Sequence, residues 1–286
     1  VIYILLSVLF SSVLFIIIKL FANFKIDTLQ ALVVNYLTAS GMGFFFFEEA
    51  FNPSEIICKQ WFMGSFMLGL LFILIFYVTA ITSQRNGLSV ASVASKMSVI
   101  IPVLFGVLLY GDKITLIKII GILLALVAVY FTSKKEKGSV TYNNNLVYPL
   151  LIFIGAGAID TSLKYFQTFY LSDKEISLFS SNTFFAAFVF GIILLIAKSL
   201  KDGINIKVKN ILGGIALGIP NYFSLHYLIK MLDSEVFESA IIFTIHNVAI
   251  VVITTLAGFF IFKEKISFRN WMGIALALIA ILLVTI

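Results

Sequence analysis

The chain predicts an all-α, polytopic membrane protein with ten transmembrane helices arranged as two inverted five-helix repeats. Three observations carry that expectation. The first is composition: 61% of the residues are hydrophobic, 12% are charged and the mean hydropathy is +1.10, too little polar surface to coat a water-soluble domain. The second is a succession of apolar runs of about twenty residues, the length that crosses a bilayer. The third is an internal duplication. Residues 112–131, DKITLIKIIGILLALVAVYF, return as residues 264–283, EKISFRNWMGIALALIAILL, with Lys113/Lys265, Ile114/Ile266, Gly121/Gly273, Ala125/Ala277 and Ala128/Ala280 among the identities. Self-similarity over half a chain marks a repeat architecture.

Each span follows from an apolar run closed by charge or turn residues. Residues 1–20 end at Lys19; they lack a basic head and a small-residue cleavage site, so they read as a first span rather than a leader. Residues 28–47 follow Asp27, and 61–81 and 88–110 are separated by Gln84-Arg85-Asn86-Gly87. Residues 114–131 follow the Asp112-Lys113 turn. The polar stretch TSKKEKGSVTYNNNL then halves the chain. The second set reads 147–170, 175–197, 210–230, 236–262 and 266–286. In hydrocarbon an isolated strand leaves its backbone groups unpaired, so these runs are helices. The expected organisation is a first repeat over 1–133, a linker over 134–146 and a second repeat over 147–286. Five spans are an odd number, so the second set runs upside down relative to the first, as in many transporters. Gly64 and Gly69 find counterparts in Gly213 and Gly218. These, with Gly41, Gly43, Gly155, Gly157 and Gly214, suit close helix contact.

The acidic-Lys turn leading into a glycine-bearing helix resembles the EamA-type family of the drug/metabolite transporter superfamily. It appears as Gly111-Asp112-Lys113 with Gly121, and as Lys263-Glu264-Lys265 with Gly273. Pro102 stands where that family often has a proline in its fourth helix. Thr254 replaces it in the ninth, and Ser11-Ser12 stand near a first-helix Trp-Gly common in relatives. The resemblance implies a central cavity between the halves and secondary transport by alternating access.

Ionisable groups inside spans are the sharpest clues to chemistry, because each costs about 2.5–3.5 kcal/mol at mid-bilayer unless paired or wetted. Lys96, flanked by Ser95 and Ser98, lies too far from a span end to reach headgroups comfortably. It faces either an anionic solute or coupling ion, or a structural ion pair. Asp160 and Lys164 share one face of the sixth span at i, i+4. Two readings stand: a self-paired bridge, or an Asp160 that exchanges a coupling proton while Lys164 holds it charged. Pseudo-symmetry sets His246 and Asn247 opposite Lys96, and the resemblance makes both cavity contacts. Asn221, Tyr222 and His226 follow an expected helix break at Gly218-Ile219-Pro220, and Tyr77 is the offset mate of His226. The expected solute contacts are therefore Lys96, Ser95, His246, Asn247, Asn221, Tyr222 and Tyr77, with Asp160, Lys164 and His226 for a proton. Asn35-Tyr36 reads as interhelical packing. Asp112, Glu264, Pro102, Gly121 and Gly273 read as structural, the carboxylates stabilising helix starts.

The sequence contains no HExxH, GxSxG or Walker A motif, so enzyme and ATP-driven readings lack their chemistry. A single cysteine, Cys58, rules out an internal disulfide. Two histidines and one intramembrane carboxylate are too few for a transition-metal cage. The net charge of +6 is scattered over short loops rather than gathered in a stripe, unlike a nucleic-acid surface. Most loop Lys and Arg fall on the side of Lys19, Arg85 and Lys198. The positive-inside tendency puts that side in the cytoplasm and both termini outside, whereas the resemblance implies cytoplasmic termini. The expectation is a cofactor-free secondary transporter of the inner membrane, monomer or homodimer. It exports or exchanges a small organic solute such as an amino acid. The alternative is a non-transporting sensor or assembly protein on the same scaffold.

Overall fold

The structure, a computed structural model, describes residues 2–47, 56–110, 115–133, 146–172, 175–203, 206–233 and 239–285. Among them there is no strand, and every regular element is a helix. The helices are α1 (Ile2–Asn23), α2 (Thr28–Phe45), α3 (Phe62–Asn86), α4 (Leu88–Met97), α5 (Ile100–Tyr110), α6 (Leu116–Ser133), α7 (Val147–Phe169), α8 (Ile176–Asp202), α9 (Val208–Asp233), α10 (Ser239–Phe260) and α11 (Phe268–Thr285). Five stretches among the described residues are long and apolar enough to cross a membrane: α1, α3, Leu88–Phe105, α7 and Ile176–Leu200. Large apolar side chains such as Leu200, Phe260 and Phe268 lie exposed, a surface suited to lipid rather than water.

The fourth apolar run is not one helix. It breaks at Ser98-Val99 into α4 and α5, because Pro102 has no N–H to return to the Ser98 carbonyl. The Ile101 amide takes that carbonyl instead, at 2.9 Å. Lys96 therefore sits in the last turn of α4, where the negative end of the helix dipole favours a cation. The expected break at Pro220 does not occur; α9 runs through it.

The halves interleave. α2 packs on α8 and α9, α3 on α7 and α8, α1 on α9 and α10, and α4 on α7 and α10. Small residues set the spacing. A Cβ at Gly69 would lie 2.7 Å from the Ala187 amide nitrogen on α8, and one at Gly218 would lie 2.7 Å from the Asn35 carbonyl on α2. Gly43, Gly155, Gly157, Gly213 and Gly214 are likewise in close contact, but Gly41 faces open space.

The duplicated segments pack on each other. α6 and α11 run antiparallel: Asn270 at the start of α11 donates to the Thr132 carbonyl at the end of α6, at 2.5 Å. A Cβ on Gly273 would come within 2.8 Å of the Thr132 amide nitrogen. Ala125, Ala128, Ala277 and Ala280 are all buried in this seam, and Gly121 is buried too.

Glu264 does stabilise a helix start, but not that of the helix after it. Its carboxylate accepts from the Leu88 amide at 2.8 Å and from Lys19 Nζ at 2.8 Å, so it caps α4. Ser267 caps α11, accepting from the Asn270 amide at 3.2 Å. Asp112 and residues 134–145 of the expected linker lie outside the described residues.

Candidate functional site

A cavity of about 180 Å³ opens in the middle of the bundle, walled by α1, α3, α4, α7, α8, α9 and α10. Its polar groups are Ser11, Ser95, Lys96, Asp160, Asn221, Ser224, His246 and Thr79; Phe15, Phe72, Phe76 and Phe184 supply much of the apolar wall. The volume lies below the ~300–1,000 Å³ usual for drug-sized ligands, so it suits a small solute.

Lys96 reaches the cavity from the end of α4 and interacts electrostatically with both Asp160 of α7 and His246 of α10. Ser98, in the break after α4, places its Oγ 3.4 Å from Asp160 Oδ2 and bonds the Ser95 carbonyl at 2.5 Å. The break thus aims both a cation and a hydroxyl at the one carboxylate. An intramembrane acid facing an intramembrane cation offsets part of the desolvation each suffers.

Asn221 Nδ2 donates to Asn35 Oδ1 at 3.2 Å, which holds the amide at the wall. His246, 3% exposed, lies 3.1 Å from Ser7 Oγ and 3.4 Å from Ser11 Oγ through Nε2. Asn247 hydrogen-bonds the same ring but is not part of the cavity wall.

Of the expected solute contacts, Lys96, Ser95, His246 and Asn221 converge on one space, and Asp160 joins them. Lys164 lies with Asp160 and Gln167 on a side recess of about 60 Å³. Tyr222 and His226 form a separate cluster with Ser177 and Ser180 around a water-sized space of about 10 Å³. Their rings stack at 5.4 Å, with Tyr222 Oη 3.4 Å from His226 Nδ1. Leu225 borders all three spaces. Tyr77 packs against the apolar core instead, and Tyr36 bonds the Phe72 carbonyl at 2.9 Å between helices.

Sequence reasoning missed Ser7, Ser11 and Ser224 as site residues. The i, i+4 spacing of Ser7 and Ser11 on an otherwise apolar α1 was the available signal, since it puts two hydroxyls on one face.

Residues 1–134 match the profile of the EamA-like transporter family. An uncharacterised protein of Haemophilus influenzae is 27% identical over 258 residues, 88% of this chain and 86% of that protein. A solved crystal structure, 12% identical and covering 98% of both chains, superposes with a TM-score of 0.57, a likeness of fold alone. The chain is therefore a multi-pass membrane protein whose first 134 residues match the EamA-like transporter family, part of the drug/metabolite transporter superfamily.

Proposed function

We propose that the protein is a secondary active transporter that exports or exchanges a small organic metabolite, such as an amino acid, across the inner membrane by alternating access. The observation that carries this reading is the meeting of Lys96, Asp160, His246 and Asn221 on one cavity between the two halves of an apolar bundle. Polar groups are costly there unless they serve a pathway.

Two five-helix repeats of opposite direction, joined by residues 134–146, underlie the mechanism. The equivalent contacts of Gly69 with α8 and Gly218 with α2 support that arrangement, as does the antiparallel α6–α11 seam. Rocking of such halves about a central site exposes it to one face and then the other.

Within the site, Lys96 and Asn221 hold the polar end of the solute and the phenylalanine wall holds its apolar part. Asp160 carries the coupling proton, and its place between the central cavity and the Lys164 recess favours that role. His226 and Tyr222, across Leu225, form a second exchange point.

Uptake and counterflow in proteoliposomes test the reading. Lys96→Ala is expected to abolish transport, and Asp160→Asn to uncouple it from a proton gradient. Unchanged uptake by both variants across a solute panel would overturn the assignment.

A further inference from the structure

Ser7 is fully buried on α1 and does not line the cavity. Its Oγ is 2.8 Å from the Ser224 carbonyl of α9 and 3.1 Å from His246 Nε2 of α10. A serine hydroxyl has one proton, and a carbonyl oxygen only accepts. That proton is therefore committed to Ser224, and Oγ has only a lone pair left for the imidazole. The contact with Nε2 is a hydrogen bond only if Nε2 carries hydrogen.

We propose that Ser7 is a positioning residue that fixes neutral His246 as the Nε2–H tautomer, leaving Nδ1 as the ring's hydrogen-bond acceptor. The second serine, Ser11 Oγ at 3.4 Å, lies near the same N–H from the cavity side. The tautomer follows from the hydrogen-bond inventory alone; its use rests on the transport reading. In that reading His246 has no N–H left for an anionic solute. Lys96 supplies the donor for an anionic group, and His246 reads an N–H or O–H on the solute. This divides two residues that would otherwise seem interchangeable donors.

The chain has only two histidines, His226 and His246, so long-range proton–nitrogen correlation NMR on the full chain, labelled with nitrogen-15 histidine in lipid nanodiscs, reads the tautomer directly. His226→Gln assigns the signals. The expected wild-type result is a single His246 species with Nδ1 bare and Nε2 protonated. Ser7→Ala is expected to release it to a mixture, and Ser7→Thr, which keeps the hydroxyl, to restore the wild-type pattern. A wild-type Nδ1–H ring, donating to Asn247 and accepting from Ser11, would overturn the proposal. So would a folded Ser7→Ala protein with an unchanged tautomer. If Ser7→Ala does not fold, the wild-type spectrum and Ser7→Thr decide. None of these outcomes depends on transport, so a failed tautomer and a failed transport reading remain distinct.

Discussion

Lys19 Nζ and Glu264 Oε1 meet at 2.8 Å, joining the end of α1 to the turn before α11. Both side chains are about seven-eighths buried, at 15% and 14% exposure. Lys19 also donates to the Ser83 carbonyl at 2.8 Å, and Glu264 accepts from the first amide of α4. One pair thus ties α1, α3, α4 and the α10–α11 turn together. Gly87, with φ +120°, makes the backbone turn that brings the α4 amide to the carboxylate, and a Cβ there would stand 3.2 Å from Glu264 Oε2.

Removing either partner leaves a largely buried charge and, for Glu264, an uncapped helix start. Glu264→Ala is expected to lower stability by on the order of 3 kcal/mol. Thermal unfolding in detergent reads the loss. Lys19→Met with Glu264→Met should cost less than the two single changes together, the coupling expected of groups in contact. Additive losses would mean that the pair contributes nothing beyond its separate bonds.

Lys96 and Asp160 separate stability from transport. Lys96→Met strands the Asp160 carboxylate inside the bundle, and Asp160→Leu strands the ammonium; each is expected to cost about 3 kcal/mol. The double variant leaves no stranded charge and should regain more than half of that loss while remaining inactive in proteoliposomes. A double variant as unstable as the sum of the singles would show that the two do not act as a pair.

Glycine substitutions separate contact from bystander. At Gly273, an added methyl meets the Thr132 amide nitrogen at 2.8 Å. That is backbone, which cannot rotate away, so Gly273→Ala is expected to cost about 1–3 kcal/mol. Gly41 has no atom within 4 Å of an added Cβ, so Gly41→Ala is expected to stabilise α2 by about 0.5–1 kcal/mol through helix propensity. Melting temperatures shifted in opposite directions would bear this out; a shift of the same sign at both sites would refute it.

The apolar helices were legible because hydrocarbon demands about twenty apolar residues and internal backbone bonding, both local properties of sequence. The duplication of α6 and α11 was legible because glycine and alanine recur at matched positions in the two copies, but that the copies pack on each other was not. Lys96 and Asp160 stood out as costly. Their relationship did not, because the i, i+4 spacing directs attention to Lys164, whereas the charge facing Asp160 comes from α4 and the hydroxyl from the break after it. The split of the fourth run depends on which amide takes the Ser98 carbonyl, a choice that apolar periodicity does not express. Nor does any local pattern announce that Glu264 caps a helix beginning at Leu88. Such contacts are made by tertiary packing, and a single sequence carries no direct trace of them.

Asp27 offers a pH test outside the membrane spans. It caps α2 by accepting from the Gln30 amide at 3.0 Å, and Lys198 Nζ donates to its other oxygen at 2.8 Å. Burial pushes its carboxyl up, but the Lys198 ammonium and the amides of Gln30 and Leu29 together outweigh burial and hold its pKa below the ordinary value of 3.8. With the folded pKa depressed, the stabilisation is fully present above that ordinary value and is lost as pH falls through the folded one. Asp27→Asn keeps a good cap without the charge, so it should remove this part of the acid-induced fall in melting temperature while leaving α2 capped. Asp27→Ala should cost about 1 kcal/mol at neutral pH. The ion pair is partly exposed, with Lys198 44% open to solvent, so Lys198→Met should cost less than the cap does. It should also move the acid loss to higher pH, because the carboxylate then binds its proton more readily. An acid limb unchanged by both Asp27→Asn and Lys198→Met would assign that loss to other carboxylates.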